Sequence, residues 1–377
     1  MIYLDNAATT KPCKEAVEAA VNALTECFGN PSSTHAEGIR AKLLLDDARQ
    51  TIAKAIGGRE ECLFFTSGAT ESSNWAILGA AENRLKRKPK VVTTSVEHPS
   101  VKAAFDKLEK NGAEVVRITP DENGEITAES IVNAVDDKTC LVSCMLVNNE
   151  TGYVLPIAES FAAVKRKYPD CITHCDAVQG FMKLPIKVNA LHADLISLSG
   201  HKVCAPKGVG ALYVGKGVNI STYLYGGGQE SGKRSGTENI PAIAGFAAAV
   251  KKLSGSINER YENACALRDT LYNSISDIDG IVINSKEQAL PYICSIAMPG
   301  YKSETLLNFM SEKGICVSSG SACSKGKKSS VLKAFGIPDK IADATLRISF
   351  SADTAESDIM QFADVLKQAR KLASIKV

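Results

Sequence analysis

Short apolar runs alternate with longer amphipathic stretches through the first two thirds of the chain. After the apolar run at 61–65, for example, Trp75, Leu78, Ala81 and Leu85 recur at helical spacing. Strands that alternate with helices indicate βαβ units and a mostly parallel sheet covered on both faces. We therefore predict an α/β fold with a seven-stranded sheet, whose strands are 61–65, 91–94, 114–118, 139–147, 171–175, 195–198 and 210–214.

The pattern changes after about residue 250. A long helical stretch leads into predicted strands at 281–283, 293–297, 315–317 and 346–350, with helices near 303–313 and towards residue 377. We interpret this part as a smaller α+β domain. The predicted organisation is a large α/β domain at 15–250, and a small domain built from 1–14 and 251–377.

Composition narrows the class of protein. The 377 residues are 45% hydrophobic and 23% charged, which is typical of a soluble globular protein. A formal net charge of only +2 argues against a nucleic-acid partner. No apolar run approaches the roughly 20 residues that cross a bilayer, and residues 1–6 carry no secretory pattern. We therefore expect a cytoplasmic protein without a membrane partner.

The twelve cysteines fit reduced thiols better than disulfides in such a protein. No C-x-x-C pair is present, so the sequence offers little support for structural zinc and we expect no metal. Cys140, Cys144, Cys171 and Cys175 lie inside predicted strands. We interpret these four as small buried hydrophobic residues.

Polar clusters follow five of the predicted strands. Taken singly, each has an ordinary explanation: a turn, a helix cap, a surface histidine or a solvated lysine. Because the carboxyl ends of parallel strands meet at one edge of a sheet, we expect the clusters to converge there. They are 66–72 (TSGATES), 97–98 (EH), 148–152 (NNETG), 176–179 (DAVQ) and 199–202 (SGHK).

These groups fit pyridoxal 5′-phosphate. That cofactor needs a lysine for covalent attachment, a carboxylate facing its pyridinium nitrogen and a phosphate cradle. Lys202, Asp176 and the small-residue turn at 68–72 supply them, and His98 could stack on the ring. A turn that opens a helix suits a phosphate. The alternative for this turn is an ordinary cap made by Ser67 or Thr70.

A set of ten ordered motifs then resembles the NifS/IscS-type cysteine desulfurases of the class V aminotransferase group. The resemblance covers nearly the whole chain and implies the fold type I architecture of pyridoxal-phosphate enzymes. The motifs are 4–10 (LDNAATT), 29–33 (GNPSS), 66–72 (TSGATES), 97–98 (EH), 148–152 (NNETG), 176–179 (DAVQ), 201–202 (HK) with 206–208 (PKG), 226–230 (GGGQE), 234–239 (RSGTEN) and 318–323 (SSGSAC).

The resemblance implies roles around the cofactor. Lys202 would bind the cofactor covalently, Asp176 would pair with the pyridinium, and Gln179 would donate to the phenolic oxygen. His98 would stack on the ring and act as an acid–base group. In a homodimer, Thr237 would reach the phosphate held by the partner subunit. The residues implied as phosphate ligands of the same chain are Ala69, Thr70, Ser199 and His201.

The resemblance also implies the reaction. Asn149 and Arg347 would hold the carboxylate of the substrate, L-cysteine. Cys323, in a polar and basic stretch of the small domain, would be the nucleophile that becomes a persulfide. L-Alanine would be released, and the sulfur would pass to an acceptor or scaffold protein for iron–sulfur clusters, other cofactors or tRNA thiolation.

Two other functions stay open at this point. One is another class V pyridoxal-phosphate enzyme, such as a selenocysteine lyase or an aminotransferase, which would need Cys323 less. The other is a non-catalytic sulfur carrier on a decayed enzyme fold. The intact Lys202, Asp176, His98 and Cys323 count against the second.

Overall fold

A computed structural model describes residues 1–319 and 329–371 of the chain. The strands are β1 Ile2–Tyr3, β2 Leu63–Thr66, β3 Lys90–Thr94, β4 Glu114–Ile118, β5 Thr139–Met145, β6 Ile172–Asp176, β7 Leu195–Ser199, β8 Gly210–Val214, β9 Val282–Ile283, β10 Ile293–Ala297, β11 Ile315–Cys316 and β12 Thr345–Ser349. The α-helices are α1 Lys14–Thr25, α2 Ala36–Ala55, α3 Ala69–Glu82, α4 Pro99–Lys110, α5 Ala128–Asn133, α6 Ile157–Lys167, α7 Val188–Leu191, α8 Ile240–Ser254, α9 Ile257–Ile275, α10 Ser303–Glu312, α11 Ser330–Ala334, α12 Asp339–Ala342 and α13 Glu356–Lys371. Within these described ranges, every helix is too short or too polar to cross a lipid bilayer.

The largest sheet has seven strands in the order β2-β8-β7-β6-β5-β3-β4. Strand β8 runs antiparallel to both of its neighbours, whereas the β7-β6-β5-β3-β4 part is parallel throughout. The predicted α/β class with a mostly parallel seven-stranded sheet is therefore confirmed.

The central strands of this sheet are buried on both faces. Every residue of β5, β6 and β7 is buried, because helices cover the two sides of a parallel sheet. This double burial explains why β5 and β7 are mostly apolar rather than alternating, whereas β6 buries the polar residues Thr173, His174 and Asp176. Cys140, Cys144, Cys171 and Cys175 are all buried. Their interpretation as small buried hydrophobic residues is therefore confirmed.

Two smaller sheets lie in the rest of the chain. Strands β12-β10-β9 form an antiparallel sheet, and β1 pairs in parallel with β11. A separate hydrophobic cluster packs around them, which joins residues near the start of the sequence to residues after 264. The domain boundaries at residues 14 and 250 stay a prediction. Representative members of the cluster are Leu4, Leu271, Ile296, Ile348 and Phe362.

A buried ion pair fixes the loop between β8 and α8. The Nη1 and Nη2 atoms of Arg49 donate to the two carboxylate oxygens of Glu230, each at 2.7 Å. The backbone N–H of Phe65 donates to the same carboxylate at 2.8 Å, and the Glu230 side chain is only 1% exposed. The loop that carries Thr237 is thereby held against strand β2.

We expect Glu230→Gln to lower the free energy of unfolding by about 3 kcal/mol, because it leaves the Arg49 guanidinium without its charged partner. Urea unfolding followed by the fluorescence of Trp75, the one tryptophan of the chain, measures this loss. Glu61→Gln is the control, since Glu61 pairs with Arg59 at 3.7 Å on the exposed surface and should change stability by less than about 1 kcal/mol. Equal effects of the two substitutions would contradict the prediction.

Candidate active site

A cavity of about 890 Å³ opens at the carboxyl edge of the large sheet. It brings together ten of the twelve residues predicted for the site. Thr237 is exposed and lies outside the cavity of its own chain, and Cys323 falls outside the described residues. The individual roles stay predictions. The ten residues that line the cavity are Ala69, Thr70, His98, Asn149, Asp176, Gln179, Ser199, His201, Lys202 and Arg347.

Strand register explains this convergence. In the parallel part of the sheet Met145 lies beside Asp176, and Asp176 lies beside Ser197. Strands β5, β6 and β7 therefore end nearly in step. The side chains that follow them face one common space, as the crevice rule for open α/β sheets predicts.

One end of the cavity suits an anion. The 14-residue helix α3 begins there, and its N-cap is Gly68, with no side-chain cap. The alternative in which Ser67 or Thr70 caps this helix is therefore wrong. Gly68 has φ +154°, a backbone conformation that other residues rarely adopt. The first N–H groups of such a helix need an outside partner.

Two further groups at this end are suited to phosphate. The hydroxyl of Ser199 is buried without a hydrogen-bond partner among the described residues. Burial, with the nearby charges of Lys202 and Lys207, lowers the pKa of His201 to about 4, so its imidazole is neutral at neutral pH. A phosphate would give the Ser199 hydroxyl the partner that a buried polar group requires.

Lys202 ends a short 3₁₀ turn directly after β7. Its Nζ donates to the carbonyl oxygens of Ala7 and Ala8, each at 2.6 Å. Burial, together with the positive charges of Arg347 and Lys183, lowers the pKa of Lys202 to about 7. A substantial fraction of this amine is therefore neutral at pH 7, which is the form that attacks an aldehyde.

Asp176 and His98 face the middle of the cavity. Burial raises the pKa of Asp176, while the charges of His98 and Lys202 oppose that change. Burial lowers the pKa of His98, whose Nδ1 accepts from the Ser100 N–H at 3.2 Å and so caps helix α4. A buried carboxylate here is the partner that a pyridinium nitrogen needs.

Arg347 lies on β12 and is 3% exposed. Its Nη2 donates to Asp5 Oδ1 and its Nη1 to the carbonyl oxygen of Asn149, both at 2.9 Å. The Nε is buried without a partner among the described residues. Because a guanidinium has five N–H donors and two are used, three remain to bind a carboxylate.

Sequence reasoning gave no role to two acidic residues that line the cavity. Glu97 Oε1 accepts from the Thr94 hydroxyl at 2.6 Å and the Met145 N–H at 2.9 Å, and burial raises its pKa to about 8. Glu150 accepts from the Ser329 hydroxyl at 2.6 Å, and burial raises its pKa to about 7. Both occur in the motifs that resemble the family, but only the fold shows how fully they are buried.

The N-terminal segment is a second component that sequence reasoning missed. Ala7 and Ala8 contribute carbonyl oxygens, and Asp5 contributes the partner of Arg347. The motif at 4–10 was noted without a role. Backbone acceptors leave no signal in a sequence, because any residue type provides the same carbonyl.

Comparison with known proteins shows the family. The family model for class-V aminotransferases matches residues 2–362. The chain therefore belongs to the class-V aminotransferase family, as the ordered motifs predicted.

Within this family the chain is of the IscS/NifS cysteine desulfurase type. A cysteine desulfurase IscS of Methanosarcina thermophila is 38% identical over 370 residues, which cover 97% of this chain and 91% of the relative. A solved NifS-like protein superposes with a TM-score of 0.93 at 36% identity, over 98% of this chain and 100% of the other. The structure of SspA in complex with cysteine gives a TM-score of 0.81 at 34% identity, over 93% and 99%.

Membership of the class-V aminotransferases makes pyridoxal 5′-phosphate the cofactor, and the cavity fits it. The unpartnered Ser199 hydroxyl and the start of α3 suit the phosphate. Asp176 would face the ring nitrogen, and Lys202 would hold the cofactor covalently. Across residues 1–319 and 329–371, no cluster of three His, Cys, Asp or Glu is arranged to bind a metal ion.

We expect Lys202 to capture pyridoxal phosphate in cofactor-depleted protein with a rate that rises with pH and is half-maximal near pH 7. Stopped-flow absorbance measures the rate. Arg347→Met removes a positive charge that lowers the pKa of Lys202 and should move the midpoint upward. Arg59→Met, on the exposed surface, should leave it unchanged. A wild-type midpoint near the ordinary lysine value of 10.5 would refute the prediction.

Proposed function

We propose that this protein takes sulfur from L-cysteine, releases L-alanine and carries the sulfur as a persulfide on Cys323. One observation carries the proposal: a single cavity holds an amine with a lowered pKa at Lys202 and a guanidinium with free donors at Arg347. These are the two groups that an α-amino acid needs, one for its amine chemistry and one for its carboxylate. The cysteine desulfurases among the relatives support the choice of L-cysteine.

Different residues of the cavity would bind the substrate, take its proton and position the cofactor. Arg347 would bind the substrate carboxylate by a paired set of N–H donors, with Asn149 beside it. Lys202, once displaced by the substrate amine, would take the proton from Cα. When bound, pyridoxal phosphate supplies the electron sink for the pair left at that carbon. Gln179 and Asp176 would hold the phenolic oxygen and the ring nitrogen in position.

The sulfur step belongs to Cys323. Its thiolate would form an S–S bond to the substrate sulfur as the C–S bond breaks. The carbon fragment would keep the electron pair, take up a proton and leave as L-alanine. The Cys323 persulfide would then give its outer sulfur to an acceptor or scaffold protein.

The two flanks of residues 320–328 support this assignment. On one side, Ser318 and Arg347 exchange two backbone hydrogen bonds, at 2.6 and 3.2 Å. On the other side, the Ser329 hydroxyl donates to Glu150 at 2.6 Å. Both flanks therefore attach to residues that line the cavity, and Cys323 lies between them in the sequence.

A homodimer with shared active sites is part of the proposal. Helix α1 exposes Val17, Val21 and Leu24 on one face, and Leu24 is 63% exposed. Helix α2 exposes Ile39 and Leu43, the latter 64% exposed. An apolar surface of this kind marks a protein interface. A second copy of the chain would cover it, and the exposed Thr237 would reach the phosphate of the partner subunit.

The state of the cysteines supports a cytoplasmic location. Eleven cysteines are free in the part of the chain that the structure describes. Free thiols persist in a reducing compartment. We therefore place the reaction and its acceptor protein in the cytoplasm.

We expect the purified protein to release L-alanine from L-cysteine in the presence of a thiol reductant, and Cys323→Ser to abolish this release. Cys265→Ser, a partly buried cysteine on α9, is the matched control and should retain the wild-type rate. Equal release by wild type and Cys323→Ser would instead favour a lyase such as one that cleaves selenocysteine. A wild-type protein that never acquires a cofactor absorbance band would favour the non-catalytic carrier.

We expect the double substitution Leu24→Asp and Leu43→Asp to convert the dimer into monomers, since two charges in each copy would face an apolar partner surface. Light scattering coupled to size-exclusion chromatography measures the mass. Met360→Asp, on α13 with 46% exposure, is the control for adding a charge at an exposed apolar position. A wild-type protein that stays monomeric at micromolar concentration would reject the shared site.

A further inference from the structure

Lys183 is a buried lysine for which the proposed reaction has no role. It lies seven residues after the end of β6, in a stretch that is otherwise apolar, and is 7% exposed. Its Nζ donates to Gln179 Oε1 at 3.4 Å. Within the described part of the chain this is the one hydrogen bond that the Lys183 side chain makes, and no carboxylate pairs with its ammonium group.

The surroundings of Lys183 make its burial costly. The aromatic ring of Tyr292 lies 6.0 Å from the Nζ. A cavity of about 20 Å³, lined also by Cys204 and Arg260, borders the same side chain. Burial, with the charges of Arg260 and Arg347, lowers the pKa of Lys183 to about 8 against the opposing effect of Cys204. The aromatic ring and one neutral acceptor offset only part of the cost of burying an ammonium that has no paired carboxylate.

The contact with Gln179 settles how that side chain is oriented. An ammonium group can only donate, so the amide atom that faces Lys183 is the oxygen. The Nε2 of Gln179 then lies on the other side, where it donates to the carbonyl oxygen of Ala7 at 2.9 Å. The same carbonyl accepts from Lys202 Nζ. The donor end of Gln179 therefore lies beside the lysine that would carry the cofactor.

We propose that Lys183 is a positioning residue, which holds the amide of Gln179 so that its N–H donors, and not its oxygen, face the bound cofactor. The inference rests on the role of Gln179 in the proposed function. A donor stabilises a phenolate oxygen, whereas an amide oxygen in the same place would repel it. The two orientations of an amide have nearly the same shape, so only its hydrogen bonds distinguish them. Without Lys183 the Gln179 oxygen loses its donor, and among the described residues the bond from Nε2 to the Ala7 carbonyl alone holds the amide in this orientation.

The test uses the absorbance of the bound cofactor rather than activity. In the holoenzyme, the proton shared between Lys202 and the phenolic oxygen would titrate, and the absorbance of the cofactor would change with it. Lys183→Met should raise the midpoint of this titration by about one pH unit, which is a tenfold change in proton affinity. Loss of the Lys183 charge and weaker positioning of the Gln179 amide both act in this direction.

A double-mutant cycle separates these two causes. In a Gln179→Leu background the amide is absent, so Lys183→Met should shift the midpoint clearly less than it does in wild type. Equal shifts in the two backgrounds would show a charge effect alone and would overturn the positioning role. No shift in either background would overturn it as well.

Two further variants serve as controls in this test. Lys90→Met removes another buried lysine, one that pairs with Asp136 at 2.8 Å on β3, and should leave the midpoint unchanged. Lys183→Gln is neutral but keeps an N–H donor, so it isolates the loss of charge, and Lys183→Leu replaces Lys183→Met if the latter does not fold. The shift caused by Lys183→Gln should equal the smaller shift that Lys183→Met causes in the Gln179→Leu background. A shift as large as the one that Lys183→Met causes without the Gln179 substitution would overturn the inference.

The outcomes distinguish this inference from the proposed function. Wild type that binds no cofactor would overturn both. Wild type that shows the cofactor band and releases L-alanine, but in which Lys183 and Gln179 act independently, would overturn the positioning role and leave the desulfurase function intact.

Discussion

The burial of ionisable groups at one edge of the sheet is the constraint on which the rest of the structure depends. In bulk water Lys202 would be a protonated amine and Glu97 an ionised carboxylate. Burial brings the pKa of the first down to about 7 and that of the second up to about 8. A charge without water requires a partner from the protein. Much of the surrounding chain supplies such partners, as Asp5 does for Arg347.

These partners come from distant parts of the sequence, which is why the cavity needs the whole fold. Asp5 and Arg347 are 342 positions apart, and the carbonyl of Ala7 meets Lys202 across 195. The amine chemistry belongs to the large sheet, while the carboxylate-binding arginine comes from β12. An N-terminal segment of a few residues joins the two by hydrogen bonds to both.

The sequence predicted the features that depend on local pattern. Strands β5 and β7 were predictable because a strand buried on both faces is mostly apolar. Asp176 and Lys202 were predictable because polar residues after parallel strands share one edge. The carbonyl acceptors of Lys202 were not predictable, since backbone carbonyls are identical in every residue. The start of α3 was not predictable either. The choice between a cap by Ser67, a cap by Thr70 and no side-chain cap depends on the backbone angles of Gly68.

The pairing of β1 with β11 has a consequence for the order in which the protein is made. Ile2 aligns with Ile315, so β1 leaves the ribosome about three hundred residues before the strand with which it pairs. The large sheet is complete in the nascent chain once residue 214 has emerged. Asp5 can meet Arg347 only after β12 follows. Contacts of such long range form slowly. The sheet that supplies Lys202 can therefore form well before the arginine side of the cavity is in place.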